Sequence, residues 1–342
     1  MRIFRGFHHK DLAPACALTI GNFDGVHRGH QAMLALLRSE ARHRRLPSCV
    51  MTFEPHPRDF FLSQKGLPAS SAPTRIATLR DKLAELQACG IDQCVILPFN
   101  HTLASLSAPS FVEDILISGL GAKYILVGDD FRFGAQRAGD YNMLTQYGQK
   151  LEFDVARMNS YEIPSPQLQS KATDPQDTIR VSSSAVRDAL KRGELNEVTQ
   201  LLGRPYTLSG HVVHGRKLGR ELQFPTLNIR MGHWNPAASG IFVVQVHDLD
   251  SKPLIGVANL GVRPTLDASD INAGRVLLET HCLDWPQDWN MYHGYGKIIR
   301  VDLLHKLHDE KKYNGLEELK KGIAQDIETA KAWYQNYLKT SG

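Results

Sequence analysis

The sequence predicts two folds in one chain: an α/β first half built on a parallel sheet, and behind it a small antiparallel β-barrel or sandwich that ends in a helix. Three observations carry this. At 342 residues the chain is long for one domain and natural for two. Its first half alternates near-continuous apolar runs with amphipathic ones, the pattern of strands covered on both faces by helices. From Arg204 onward the runs become short and are separated by Gly, Pro, Asp and Asn turns, as in an antiparallel barrel. The domains are expected at 1–186 and 187–342.

Taken in order, "ACALTIGNF" is a buried strand, and "GHQAMLALLRSEARHRR" a helix with Met33, Leu34, Leu36 and Leu37 on its apolar side. "SCVMTFEP" is a strand, and "PTRIATLRDKLAELQACG" a helix opened by Pro73 and Thr74 and closed by Gly90. "DQCVILPF", "AKYILVGDDF" and "LEFDVARM" are further strands, separated by the helices "APSFVEDILISGLG" and "YNMLTQYGQK". Residues 160–178 are rich in Pro, Ser, Gln and Asp with no period, and predict a mobile loop. "IRVSSSAVRDALKRGELNEVTQLLG" is a strand end, a serine cap and helical segments. The barrel strands are "YTLSGHVVHG", "QFPTLNIRM", "SGIFVVQVHDL", "PLIGVANLGV", "RVLLETHCLDW" and "GKIIRVDLLHKL", and the closing helix lies in "NGLEELKKGIAQDIETAKAWYQNYLKT".

Composition narrows the function classes. With 42% apolar and 22% charged residues the chain is globular rather than disordered. A net charge of +4 is too weak a bias for nucleic acid or a membrane surface as a bulk partner. The five cysteines form no CxxC pair, which predicts reduced thiols and a cytoplasmic setting. The opening "MRIFRGFHHKDLAPACALTI" lacks the apolar core of a secretory signal, and no run approaches the ~18 apolar residues of a membrane span.

In a parallel sheet, ligands bind beyond the carboxyl ends of the strands. The first such loop is "GNFDGVHRGH". His27 and His30, three apart, share a face at the start of a helix, where unpaired N–H groups and the dipole favour anions. Gly21 and Gly25 let the backbone approach a ligand, so the parts suit phosphate. A zinc site lacks the HExxH spacing and a third ligand. A plain cap by Asp24 with surface histidines is the bland alternative. The crowding of Asn22, Asp24, two glycines and two histidines on one strand-to-helix loop favours phosphate.

These residues resemble a known family. "GNFDGVHRGH" contains the HxGH signature of nucleotidylyltransferases, and "TFEPHPRDFF", "VGDDFRFG" and "VSSSAVR" follow in the order of the bacterial bifunctional riboflavin kinase/FMN adenylyltransferases, or FAD synthetases. The resemblance implies a Rossmann-like nucleotidylyltransferase domain, in which His27 and His30 contact ATP phosphates together with Gly21, Asn22, Phe23, Asp24 and Gly25. It implies that Ser182, Ser183, Ser184 and Arg187 hold the leaving pyrophosphate, a natural use for a bidentate guanidinium, while the serines also suit a helix cap. Phe53, Pro55, Pro57, Arg58, Phe60 and Phe61 would line the flavin pocket, with Asp130 near the reacting ends; Phe131 is a flavin candidate, and core packing of Phe131 and Phe133 is the equal alternative.

The second half resembles riboflavin kinase, a small β-barrel. Gly210 and Gly215 are spaced as in a P-loop, but Arg216 takes the lysine position and a strand follows instead of a helix. The resemblance instead implies a loop over the ATP phosphates with Gly210, Gly215, Lys217 and Gly219, and a magnesium pair Thr226 and Asn228 in "PTLN". Two apart on a strand, those side chains would share a face. "GVANLGVRPT" and "LLETHCLDW" follow in family order. Glu279 lies in an otherwise apolar strand, where a buried carboxylate costs energy unless a site needs it or a cation pairs it. The resemblance makes it the base for the riboflavin 5′-hydroxyl; an outward Glu on an edge strand is the plain alternative.

The implied substrates and products are ATP, riboflavin, FMN and FAD, with Mg2+ as the ATP partner, no nucleic acid and no membrane; a homo-oligomer is left open. Gln223 before Phe224, Leu227 in place of Ala, and His308 and Tyr313 in place of Arg and Phe depart from the family pattern. The His308 change weakens a phosphate contact there. The alternatives are a nucleotidylyltransferase with another acceptor and a non-catalytic flavin-binding regulator.

Overall fold

The computed structural model describes residues 1–67, 71–164, 178–214, 224–231, 235–262, 276–290 and 293–341. The chain divides into two compact units: Met1–Pro73 with Lys82–Ser183, and Thr74–Asp81 with Ser184–Gly342.

In the first unit, β1 (Arg2–Arg5), β2 (Cys16–Ile20), β3 (Ser48–Glu54), β4 (Gln93–Pro98), β5 (Ala122–Gly128) and β6 (Asp154–Met158) form one sheet in the order β1-β4-β3-β2-β5-β6. Every pairing is parallel. All five residues of β2 are buried, which is why its sequence is apolar without alternation. From β2 the chain passes to β3 on one side, and β5 flanks it on the other, so the strand order reverses here. The crevice past the carboxyl end of β2 is therefore the favoured ligand position in such a sheet.

The helices of this unit are α1 (Arg28–His43), α2 (Pro57–Gln64), the short α4 (His101–Ala104) and α5 (Ala108–Ser110), and α6 (Tyr141–Leu151). Helix α1 buries Leu34, Leu37 and Ala41 on one stripe and ends on Arg42 and His43, cations suited to its negative end. The apolar run after α5 continues as a π-helix, Phe111–Gly119, a detail that leaves no mark in an apolar pattern. Strands β7 (Glu162–Pro164) and β8 (Thr178–Arg180) pair antiparallel. Most of the expected 160–178 loop lies outside the described residues.

Several elements differ from expectation: helices α2 and α4 and strand β7 fall where the sequence pattern predicts only loop. Strand β1 was not foreseen, because a four-residue strand that buries only Phe4 carries too little pattern. Helix α3 spans Leu79–Ala88 and does not begin at Pro73. Its start is set by Thr78, whose hydroxyl accepts from the Asp81 amide at 3.1 Å and donates to the Asp81 carboxylate at 2.7 Å. Before it, in the second unit, Arg75 forms a bridge: its amide donates to the Asn235 carbonyl at 2.8 Å, and the Ala237 amide to the Arg75 carbonyl at 3.0 Å.

The second unit contains α7 from Ser184 on (the helix spans Ser183–Arg192), α8 (Leu195–Leu202) and a closed barrel. The barrel order is β10-β13-β12-β11-β14-β9. Its strands are β9 (Tyr206–Val213), β10 (Leu227–Arg230), β11 (Gly240–His247), β12 (Leu254–Val262), β13 (Val276–Cys282) and β14 (Ile298–His308). All pairings are antiparallel, and closure decides for the barrel over a sandwich. Leu208, Ile229, Val244, Ala258, Leu260, Leu278 and Thr280 are fully buried inside. The final helix α9 (Leu316–Ser341) lays Ile327 and Ala330 on the outer face of the barrel against Val243, Ile255 and Val257.

Candidate active sites in the two units

The loop from β2 to α1 is strained and well anchored. Phe23, Gly25 and Val26 have φ of 50°, 81° and 40°. A β-branched residue such as Val26 rarely adopts the left-handed region, at a cost of about 1–3 kcal/mol. It persists because Phe23 and Val26 are buried, at 1% and 0% exposure, and Gln31 Nε2 donates to the Val26 carbonyl at 2.9 Å. Such strain holds the loop in one shape, as a preorganised site requires.

His27 is the N-cap of α1, and its Nδ1 accepts from the His30 amide at 3.4 Å. In the neutral ring the proton then sits on Nε2. The two imidazoles stack with centroids 3.7 Å apart, and Phe23 lies 5.0 Å from the His30 ring. Burial, then His27, then the Lys82 ammonium push the His30 pKa well below its ordinary 6.5, so this ring stays neutral at physiological pH. Among the described residues Asn22 Oδ1 and His30 Nδ1 are buried without a hydrogen-bond partner. Asp24 is buried, and Ser183 Oγ donates to its carbonyl at 3.1 Å.

The candidate flavin residues lie at or past the carboxyl ends of β3 and β5 in the same sheet. Phe53 meets Phe99 edge-on at 5.8 Å, and Phe60 and Phe61 meet the same ring at 5.5 and 5.6 Å. Pro57 opens α2 behind its cap His56, whose Nδ1 accepts from the Arg58 amide at 3.1 Å. Pro55, Arg58 and Asp130 are exposed. Phe131 stacks on Phe133 at 5.5 Å and packs against the core. Arg187 and Ser184 belong to the second unit, where Arg187 Nε donates to the Thr74 carbonyl at 2.7 Å.

In the barrel, register builds the second site. Asn228 on β10 lies directly opposite Glu279 on β13, which lies directly opposite Asn259 on β12. The neighbours Leu278, Thr280, Ala258 and Leu260 point inward, so the three polar residues form a row on the outer face. Glu279 is half-buried, and the Oδ1 atoms of Asn228 and Asn259 are buried without a hydrogen-bond partner among the described residues. Thr226 sits just before β10, and Asn228 Nδ2 approaches its carbonyl at 3.4 Å. His281 shares the Glu279 face two residues on; its ring bonds the Pro225 carbonyl at 2.8 Å and meets Phe224 edge-on at 5.8 Å. Gly210 lies within β9, where a Cβ would strike Ile229 Cγ2 at 2.7 Å. Strand packing therefore requires a glycine there. Gly215, Lys217, Gly219 and Gln223 lie outside the described residues.

Two families match this chain in succession: FAD synthetase over residues 9–172 and riboflavin kinase over residues 202–334. A relative from Escherichia coli K12, described as a bifunctional riboflavin kinase/FMN adenylyltransferase, is 42% identical over 98% of both chains. One from Haemophilus influenzae with the same description is 37% identical over 98% of this chain and 100% of its own. The chain belongs to this bifunctional family. A solved structure described as a macrolide-efflux protein from Streptococcus pneumoniae has a TM-score of 0.69 at 24% identity, covering 97% of this chain and 98% of its own. At that identity the likeness concerns the fold alone.

Against the family frame, four residues near the sites escaped the sequence reading. Lys82 is buried, its Nζ donating to the Asn22 carbonyl at 3.3 Å and to Thr52 Oγ1 at 3.1 Å, so it ties the β2–α1 loop to β3. Phe99 joins the aromatic wall, and Asn259 and His281 flank Glu279 and the "PTLN" segment. For Asn259 and His281 the signal lay in "GVANLGVRPT" and "LLETHCLDW", the motifs that contain them. His308, at the family's arginine position, bonds Asp326 of α9 at 2.8 Å and the Asp309 carbonyl at 2.7 Å, which occupies both ring nitrogens.

Proposed function

We propose that the chain makes FAD in two steps: the barrel unit phosphorylates riboflavin with ATP, and the first unit transfers AMP from a second ATP to the FMN formed. The boundary proposed for the two modules is 1–186 and 187–342, with Thr74–Asp81 added to the second. The single observation that carries the reading is the pairing of a stacked, buried His27–His30 loop in one unit with the Asn228–Glu279–Asn259 row in the other.

In the first step, Glu279 takes the proton of the riboflavin 5′-hydroxyl as that oxygen attacks the γ-phosphorus of ATP and ADP leaves. Thr226 and Asn228 offer hard oxygens, and the unpartnered Asn228 Oδ1 fits a Mg2+ ligand. Bound there, Mg2+ would neutralise phosphate charge. In the second step, an FMN phosphate oxygen attacks the α-phosphorus of ATP and pyrophosphate leaves. His27 Nε2–H, His30 and the start of α1 face the charge that develops, and fixed donors aimed at such charge contribute most of this kind of catalysis. Gly21, Asn22, Phe23, Asp24 and Gly25 hold the phosphates. Phe53, Pro55, Pro57, Arg58, Asp130 and Phe131 serve the flavin. For Ser182, Ser184 and Arg187 on the pyrophosphate, and for Gly210, Gly215, Lys217 and Gly219 on the kinase ATP, the family motif alone supports the role.

Among the described residues no helix is long and apolar enough to cross a membrane. All five cysteines are free, and with metabolite substrates this suits a cytoplasmic enzyme.

The test is to incubate the protein with riboflavin and Mg-ATP and separate the flavins. FMN followed by FAD is expected, and the absence of both overturns the reading. Glu279→Ala should stop FMN formation while FAD still forms from supplied FMN. His30→Ala should do the reverse, with FMN accumulating. Loss of both activities in either folded variant would refute the two-site assignment.

A further inference from the structure

We propose that Asn259 is a specificity-determining residue of the kinase site: its Oδ1 accepts the hydroxyl next to the one being phosphorylated, so that the site reads a terminal vicinal diol and turns the primary alcohol onto Glu279. This rests on the riboflavin kinase reading of the barrel.

The argument begins with register. Asn228, Glu279 and Asn259 are direct cross-strand partners on three adjacent strands, so their side chains stand in one line across the outer face. Directly opposed residues of antiparallel strands hold their Cβ atoms about 4.5–5.5 Å apart, which puts the Glu279 carboxylate within a hydrogen-bonded ligand's length of either amide. All three groups present acceptor oxygens along this line. The Oδ1 atoms of Asn228 and Asn259 are buried and have no hydrogen-bond partner among the described residues. A buried amide oxygen left in that condition costs about 1–3 kcal/mol, and an orphan of this kind in a native fold asks for a ligand.

The two orphan oxygens need different partners. Asn228 adjoins Thr226 in sequence, and those two oxygens suit the cation that accompanies ATP. Asn259 stands on the far side of Glu279 from them, two strands from Asn228 on the barrel surface. A single cation cannot reach both amides across an intervening carboxylate on a convex sheet. What remains for Asn259 is a neutral donor beside the group that Glu279 deprotonates. Along the ribityl chain of riboflavin that donor is the 4′-hydroxyl, one carbon from the reacting 5′-hydroxyl. When the 4′-hydroxyl is held on Asn259 and the 5′-hydroxyl on Glu279, rotation about the terminal carbon–carbon bond is stopped with the nucleophile aimed along the row toward the ATP side. Val257 and Ile255, two and four residues before Asn259 on the same face, lie under α9 and keep this end of β12 from shifting.

The test compares riboflavin with 4′-deoxyriboflavin in wild type, Asn259→Ala and Asn259→Ser. A site built to bind a hydroxyl rejects the analogue that lacks it, because the buried acceptor then stays unpaired. Wild type should prefer riboflavin in kcat/KM by about tenfold or more. Asn259→Ala should lose about tenfold on riboflavin, little on the deoxy analogue, and so lose the preference. Asn259→Ser, which keeps a short acceptor, should recover part of it. A merely structural asparagine would lower both substrates together and leave their ratio unchanged, and that result overturns the proposal. So does a changed Mg2+ requirement in Asn259→Ala with the ratio intact, since it would place Asn259 on the cation. Failure of the wild-type protein to phosphorylate riboflavin at all would instead overturn the kinase reading beneath it.

Discussion

Gly29→Ala tests how finely the adenylyl-transfer site is set. Gly29 lies in the first turn of α1, between the two histidines. On an open helix face, Gly→Ala stabilises by about 1 kcal/mol. Here an added Cβ would stand 3.2 Å from His27 Nδ1, 3.3 Å from its Cε1 and 3.4 Å from the Val181 carbonyl oxygen. The first two distances are a few tenths of an ångström short of ordinary contact. The His27 ring has no room to recede: it is 6% exposed, stacks on His30 at 3.7 Å, and its Nδ1 already accepts the His30 amide. The imidazole must therefore shift or tilt away from the position proposed for it against the ATP phosphate. A misplacement of 1 Å can cost about 100-fold in rate, so a fraction of that should cost about tenfold, or about 1.4 kcal/mol in the barrier. Helix propensity offsets the local strain, so the melting temperature should stay within a few degrees. The assay is FAD formation from FMN and ATP, with FMN formation from riboflavin by the same preparation as the control for the other unit. Wild-type FAD formation in the folded variant would refute the argument that Gly29 is there to seat the His27 ring.

Lys82→Met removes one of the charges that hold the His30 pKa down. Because a lowered histidine pKa means the neutral ring persists to lower pH, the acid limb of FAD formation should lie below pH 6.5 in the wild type and move upward in the variant, read as a pH–rate profile. An unmoved limb would show that His30 titration does not govern the rate. Glu279→Gln keeps shape and hydrogen bonding but not basicity, so FMN formation should fall by about 10²–10⁴ with riboflavin binding retained; equal kcat would remove Glu279 from the chemistry. Gly121→Ala places a Cβ against the Pro14 carbonyl at a φ of +58°, and should destabilise the first unit by more than about 2 kcal/mol in urea unfolding. A variant as stable as wild type would show that the loop before β5 yields freely.

Much of the candidate chemistry is legible because it is local. The candidate phosphate loop declares itself through glycines and histidines within one strand-to-helix turn, and Glu279 through a carboxylate in a mostly apolar run; its outward, half-buried place on the barrel follows from the alternation seen in the structure. The strands are legible because burial on both faces leaves continuous apolar runs. Strand β1 is not, since one buried Phe4 in four residues makes no pattern. The start of α3 misleads because Ile76, anchored in the second unit where Tyr206 Oη donates to its carbonyl at 2.9 Å, falls in phase with the helical period that follows it.

Sequence by itself determined the order of the two folds, the HxGH loop, the "PTLN" segment and the one out-of-place glutamate, because each depends on residues that are neighbours along the chain. Tertiary structure alone decided that the second fold closes into a barrel, that Lys82 turns back to the Asn22 carbonyl, that Phe99 completes the aromatic wall, and that Asn259 stands beside Glu279. Each of these depends on which strand pairs with which, and in what register. Those pairings are chosen by burial of the whole core, and a shift of one residue would have sent the entire Asn228–Glu279–Asn259 row to the inside of the barrel.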